Sequence, residues 1–376
     1  MRTEVHRRSV VILAFALCLT PLARQTVNAE GFVVNTHAMF QTWKVTDSAG
    51  EMTITQWALP LSGIVPLEND FALQYYAAGA RSDLDETALD YDLTAASDVR
   101  FLLNRRFADD RFLLGVGLNL PTGKQNLDFA LDTVIINQLS ESYLSFPLRR
   151  FGQGFGVNFL GGAAGPLGVL DASVGVIYEL TGEYDPYEGE GAYDPGNFFM
   201  GTLGAVYRAE RFVISGNLST TIYSADRLDD KKVVQQSARI SLRLAGAYAS
   251  GKSRVNLSAG YLLRGRNKQF DSQEAIVRQL QLLGDEFSVN GSLDFALDGG
   301  WSLGPRSEVR LISGDELAGT EHFGSSEIFG FGGRVGKRLS STLSLSLNSR
   351  YYTGSANDGL LDVSGVSLSL SLFSAF

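Results

Sequence analysis

Alternation with a period of two, repeated down almost the whole chain, constrains this sequence more than any other feature. From Thr342 to Arg350, Leu343, Leu345 and Leu347 point one way while Ser344, Ser346, Asn348 and Arg350 point the other. The same pattern sets Val255, Leu257, Ala259, Tyr261 and Leu263 against Arg254, Asn256, Ser258 and Arg264, and Phe287, Val289, Leu293, Phe295 and Leu297 against Ser288, Asn290, Ser292 and Asp294. Successive side chains of a strand face opposite sides, so each segment is a strand with one apolar and one polar face. Sixteen such segments can be placed from Gly31 onward. At about 13 to 17 residues each they are long enough for tilted strands that cross a bilayer and extend past its rims.

The connections test this reading independently. A barrel with an even number of strands and both ends on one side alternates short inner turns with long outer loops. Short links fall at Pro66 to Asn69, Ala108 to Asp110, Gly165 to Leu167, Ala209-Glu210, Ser250 to Lys252, Asp298 to Gly300 and Lys337 to Ser340. Most links between them are longer and more acidic, as at Ser82 to Asp90, Lys124 to Arg149, Glu183 to Asp194, Lys268 to Gly284 and Gly314 to Gly324. A soluble sandwich has no reason to sort its loops by parity. The expected fold is all-β, a transmembrane antiparallel up-and-down barrel of fourteen to sixteen strands with short helices in outer loops. It covers residues 30–376 as one domain, with no linker or low-complexity block to mark a second.

The ends of the chain point to an exported protein. Residues 1–29 have the form of a secretory signal peptide: Arg2, Arg7 and Arg8, an apolar run from Val10 to Leu19, then Val27-Asn28-Ala29 before Glu30. The run is too short for a transmembrane helix, and it holds the only cysteine, Cys18, so disulfides and cysteine metal sites are excluded from a processed chain. Removing it takes away four arginines against one glutamate, which makes the net charge more negative than the −9 of the full chain. No basic stripe for nucleic acid is present. At the other end Leu368 to Phe376 alternates leucine with serine and stops on an aromatic. That ending resembles the C-terminal assembly signal of bacterial outer-membrane barrels. It implies the outer membrane of a Gram-negative cell, with membrane lipid, lipopolysaccharide and the barrel-assembly machinery as partners.

In the phase that turns leucines to lipid, Asp98, Arg100, Asn104, Arg239, Arg243, Arg254, Arg264, Asp294, Glu308, Arg310, Arg334 and Arg350 face inward. Charges there are hydrated or paired, because a charge on the lipid face near the midplane costs about 2 to 4 kcal/mol. They read either as an electrostatic lining along a solute path or as braces of the wall. Leu127, Leu131, Val134, Ile135 and Leu139 stand at helical spacing in the longest loop and predict an amphipathic gating or capture helix. Glu274 to Leu283 is a second helical candidate. The acidic loop Glu183 to Glu190 matches no metal-binding spacing and reads as solvated surface. His322, with Asp315, Glu316, Glu321 and Ser325 nearby, carries no catalytic motif, and His37 reads as a rim or lumen residue.

Gly115-Val116-Gly117-Leu118-Asn119-Leu120-Pro121-Thr122-Gly123-Lys124 resembles the signature strand of outer-membrane proteins linked to meta-pathway phenol degradation, relatives of the FadL-type hydrophobic-compound channels. The helical loop that follows, and then Phe151-Gly152-Gln153-Gly154-Phe155, is similar to the same group. The resemblance implies passive uptake of a hydrophobic or aromatic small molecule, captured near the outer loops and released through wall or lumen. The chain departs from the fatty-acid channels at its start, where those carry a plug segment and Phe32 to Val45 here reads as strand. The charged lumen leans toward a water-filled pore. The expected function is therefore a passive, porin-like channel or transporter for small solutes, without enzymatic activity or cofactor. A structural or adhesive barrel with partner-binding loops and an outer-membrane hydrolase are the alternatives.

Overall fold

The computed structural model describes residues 31–86, 89–187, 191–281, 283–315 and 324–376. The leader read at residues 1–29 lies outside them, as do Glu316, Glu321 and His322. The first half of the barrel wall is β1 (Val33–Thr46), β2 (Glu51–Pro66), β3 (Phe71–Glu86), β4 (Leu89–Ala96), β5 (Val99–Phe107), β6 (Phe112–Leu120), β7 (Gly156–Leu167) and β8 (Leu170–Thr181). After a bridge strand β9 (Tyr193–Asp194) come β10 (Phe198–Arg208), β11 (Phe212–Tyr223), β12 (Ala225–Leu228), β13 (Lys231–Gln235), β14 (Arg239–Ser250), β15 (Ser253–Arg264), β16 (Asn267–Phe270) and β17 (Ile276–Leu280). The chain closes with β18 (Glu286–Ala296), β19 (Trp301–Ile312), β20 (Ser326–Arg338), β21 (Leu343–Ala356) and β22 (Leu361–Ala375).

β4 and β5 are halves of one barrel strand broken at Ser97-Asp98. Both pair with β3, but the register moves by one residue across the break, from Gly79 opposite Ala96 to Tyr76 opposite Arg100, which is a bulge. Counted so, the wall has sixteen antiparallel strands. It closes where β1 pairs with β22 in one unbroken register from Val33 opposite Ala375 to Thr46 opposite Asp362.

The outer surface is the apolar face of the alternation. Leu114, Val116, Val174, Leu203, Ile214, Leu242, Leu257 and Leu347 are all exposed on it. Exposed aromatics stand near both edges, Phe112, Tyr248, Phe295 and Trp301 toward the short turns, and Tyr178, Phe199, Tyr261, Phe287 and Phe329 toward the long loops. Paired aromatic girdles around an apolar band are the mark of a bilayer-spanning barrel.

Wall height is uneven. β1 to β4 and β20 to β22 rise well past the end of β6, whereas on the opposite side the hairpins fold into a separate five-stranded sheet, β17-β16-β13-β12-β9, above the rim. The β12–β13 hairpin turns at Asp229 and Asp230, both with positive φ (48° and 63°), as a two-residue turn requires. The segment expected as a second helix is the β16–β17 hairpin of this rim sheet. Asp271 Oδ1 accepts the amides of Gln273 and Ala275, and Glu274 has a φ of 58°. That side-chain turn ends the strand and reverses the chain where a helix would have to start, and β-branched Ile276 and Val277 continue as strand.

The longest loop, residues 121–155, contains the one α-helix among the described residues, α1 (Asp132–Ser140). α1 packs inside the barrel on β3 and β4. Ile135 and Leu139 are fully buried there, in one cluster with Trp43, Ile54, Leu84, Leu93, Leu144, Phe146, Ile328 and Val363.

Candidate functional site

The infolded loop is held at its base by one carboxylate. Asp98, in the bulge, is 2 % exposed. It accepts the backbone N–H of Gly123 (2.8 Å), that of Gln153 (2.6 Å) and Asn119 Nδ2 (3.0 Å), so both ends of the loop meet on it. The two ends touch backbone to backbone. A Cβ on Gly123 would lie 2.8 Å from Gly152 Cα, and one on Gly152 would lie 2.6 Å from Lys124 O, which leaves room only for glycine at both positions. Thr122 Oγ1 accepts Val99 N–H beside them (2.9 Å). Leu120-Pro121-Thr122-Gly123 and Phe151-Gly152-Gln153 are thus the two sides of a clasp.

Further in, the loop is stapled to the wall by side chains of β1, β2 and β19. Gln41 Nε2 donates to Leu144 O (2.6 Å). Fully buried Gln56 makes a pair of bonds with the Leu148 backbone, accepting its N–H (3.0 Å) and donating to its carbonyl (2.8 Å). Arg310 donates to Ser142 O (3.2 Å) and to Ser145 Oγ. Glu308 supports Arg310 from below, bridging to it at 3.1 Å and to Arg350 at 2.5 Å. At the outer mouth, burial raises the Glu141 carboxyl above the usual glutamate range, and the charge of Asp315 adds to the rise.

The charged residues expected in the lumen stand on the inner side of their strands, except that Asp98 is buried in the clasp and lines no lumen. Arg243 stands between outward Leu242 and Leu244, and Arg264 follows outward Leu263 and bridges to Glu286 at 3.4 Å. Arg254, Asp294, Arg334 and Arg350 line a cavity of about 660 Å³ against the inner wall of β11, β14, β15 and β18 to β21. The same inward phase holds Arg306, which pairs with Asp294 at 2.5 Å. Its signal was legible, since Arg306, Glu308 and Arg310 stand two apart, although Gly304-Pro305 hides the alternation. Of the five apolar loop residues, Val134, Ile135 and Leu139 belong to α1. Leu131 caps it and is exposed, while Leu127 precedes it and forms an isolated parallel bridge with Tyr187.

A second cavity, of about 540 Å³, opens at the mouth between the loop and the wall from β5 to β14. Arg100, Lys124, Arg149, Arg150 and Arg239 line it, with Glu179 as the one carboxylate among the described lining residues. Burial lowers the Arg149 guanidinium from its usual range. Glu286 opposes that shift, while Arg310, Arg264 and Arg150 add to it. Arg149 and Arg150 come from the loop and carry no periodic signal, so the sequence pattern did not reveal them.

An even-stranded closed barrel with short turns beside its termini, aromatic girdles and a polar lumen defines a transmembrane β-barrel of the bacterial outer-membrane type. No protein-family model matches the chain, and no curated relative does. Solved structures similar to it include the CymD monoaromatic hydrocarbon channel (14 % identity, 94 % of this chain and 91 % of that chain, TM-score 0.43). A FadL homologue of Pseudomonas aeruginosa (11 %, 92 % and 90 %, 0.44) and an outer membrane channel from Pseudomonas putida F1 (11 %, 93 % and 97 %, 0.39) are also similar.

Proposed function

We propose that this protein is a passive outer-membrane channel for small solutes, a conduit rather than a catalyst. Solute enters at the mouth cavity beside the infolded loop and leaves along the polar wall of β11 to β21. The observation that carries the reading is the asymmetry of the lumen. The loop is fastened to the side of β1 to β4, while the opposite inner wall keeps its charged side chains around an unfilled cavity. In this reading Arg100, Arg239, Arg243, Arg264, Asp294, Glu308, Arg310, Arg334 and Arg350 tune passage, and Val134, Ile135 and Leu139 fix the loop that narrows it.

The same reading gives the chain a cleaved leader at 1–29 and delivery to the assembly machinery through the strand ending in Phe376. Membrane lipid and lipopolysaccharide surround it. Single-channel conductance of the refolded barrel, beside an Arg239→Ala/Arg243→Ala variant, tests the function. Steady ohmic current whose ion selectivity shifts in the variant supports it. A folded barrel that passes no current overturns it.

A further inference from the structure

The chemistry of the mouth cavity goes beyond general permeation and, resting on the channel reading, names a solute class. Its cations are only partly neutralised. Arg100 donates to Asn119 Oδ1 and Gln153 Oε1, and Arg239 to Gln236 Oε1, all uncharged acceptors. Arg149 donates to Phe146 O and Ser145 Oγ, also uncharged. Among the described residues, Lys124 is the lining cation with a carboxylate bonded to it, Asp132 at 2.5 Å. Gln125 Nε2, on the same lining, is buried with no hydrogen-bond partner among the described residues.

The other half of the lining is aromatic. Phe198 and Tyr223 lie 6.1 Å apart, Tyr184 and Tyr193 meet edge to face at 5.9 Å, and the Arg239 guanidinium sits 5.2 Å over the Tyr223 ring. Burial raises the phenols of Tyr184 and Tyr193 above the usual tyrosine range, so they stay neutral. An apolar solute alone would leave the guanidinium groups without the acceptor they favour, and a small inorganic anion would leave the rings unused. A planar ring bearing a carboxylate satisfies both.

We propose that the mouth cavity is a binding site for aromatic carboxylates. Arg150 and Arg239 take the carboxylate, and Tyr184, Phe198 and Tyr223 take the ring. Guanidinium forks match a carboxylate in two parallel hydrogen bonds, which a lysine ammonium does not.

Benzoate is the probe, with acetate and toluene as controls, added to the outer side of single channels in potassium chloride. The expected result is discrete blocking by benzoate, none by acetate or toluene, and a residence time shortened by about tenfold or more in Arg150→Gln/Arg239→Gln. Equal block by toluene, or block unchanged in that variant, overturns the proposal. Normal current without benzoate block overturns it and leaves the channel reading standing. For a folded barrel that passes no current, saturation-transfer NMR of benzoate on the detergent-solubilised protein decides: binding lost in the variant supports the site, and no binding overturns it. The heat-modifiable mobility of folded barrels on gels confirms that the variant is assembled.

Discussion

Two sides of one mouth can be compared. Where β1 to β4 and β20 to β22 rise past the rest of the wall, their inner face carries Trp43, Ile54, Leu84, Leu93, Ile328 and Val363, all within 2 % of complete burial. Across the lumen, β15, β18 and β19 turn Arg254, Asn256, Asn290 and Arg306 inward, around open space. Both sides have the same strand alternation and the same apolar outer face. Besides wall height, the difference lies in the inward residues. Apolar inward residues require cover, and the loop supplies it with Ile135, Leu139, Leu144 and Phe146, while Gln41 and Gln56 among them bond its backbone; the polar inward residues across the lumen bond one another, as Arg306 does Asp294, and need no cover. Where the loop lies is therefore decided by the wall it lies against.

Clearing the packed side is the largest perturbation. Replacing residues 126–150 with a short glycine-serine linker should raise single-channel conductance several-fold, and unchanged conductance would break the comparison. Leu139→Ala comes next. Truncating a fully buried leucine costs about 2 to 5 kcal/mol, which here falls on loop docking. Hydrogen exchange should rise across the loop and not in β14 to β19; a global rise would mean that the two sides are one cooperative unit.

Asp98→Asn sharpens the comparison at the hinge between the sides. It keeps the shape of the clasp but puts an NH2 where one carboxylate oxygen accepts, so at least one of the three hydrogen bonds is lost and the rest lose their charge, at a cost of about 1 to 3 kcal/mol. The amides of Gly123 and Gln153 should exchange faster, with the wall of β5 unchanged. On the open side, Arg306→Gln should move the reversal potential toward cations with little change in thermal stability, because its surroundings can rehydrate.

The smallest effect is one of pH. The Glu141 carboxyl is raised in the folded loop, so its neutral form favours docking. That contribution is complete below the ordinary glutamate value and is lost as pH rises through the raised one. Protease nicking of the loop should increase from acid toward neutral pH, and Glu141→Gln should flatten the profile.

Much of this was legible in the alternation. A wall of fourteen to sixteen strands and the inward phase of Arg239, Arg264, Asp294 and Arg350 follow from a side-chain period of two, and the alternation of short and long links agrees with it independently. What the pattern could not show came from contacts between distant segments. Nothing in the alternation marks Gln41 and Gln56, which bind the backbone at Leu144 and Leu148. The strand phase assigns Asp98 to the lumen lining, whereas its contacts with both loop ends make it a buried clasp. The Ala275 to Leu280 stretch is compatible with helix or strand by its apolar spacing, and the Asp271 turn decides it.

The pairing of β1 with β22 has a consequence for the time course of assembly. His37 Nδ1 and Ser371 Oγ, 2.7 Å apart across that seam, are separated by 334 residues of chain. Contacts of such separation form late, because the closure entropy of the intervening chain precedes their reward. Until then β1 has a free edge along its whole length, and such edges recruit other chains. Survival of the nascent barrel therefore depends on how fast the last strand finds the first relative to how often unfinished molecules collide, a race that dilution or a templating partner would win.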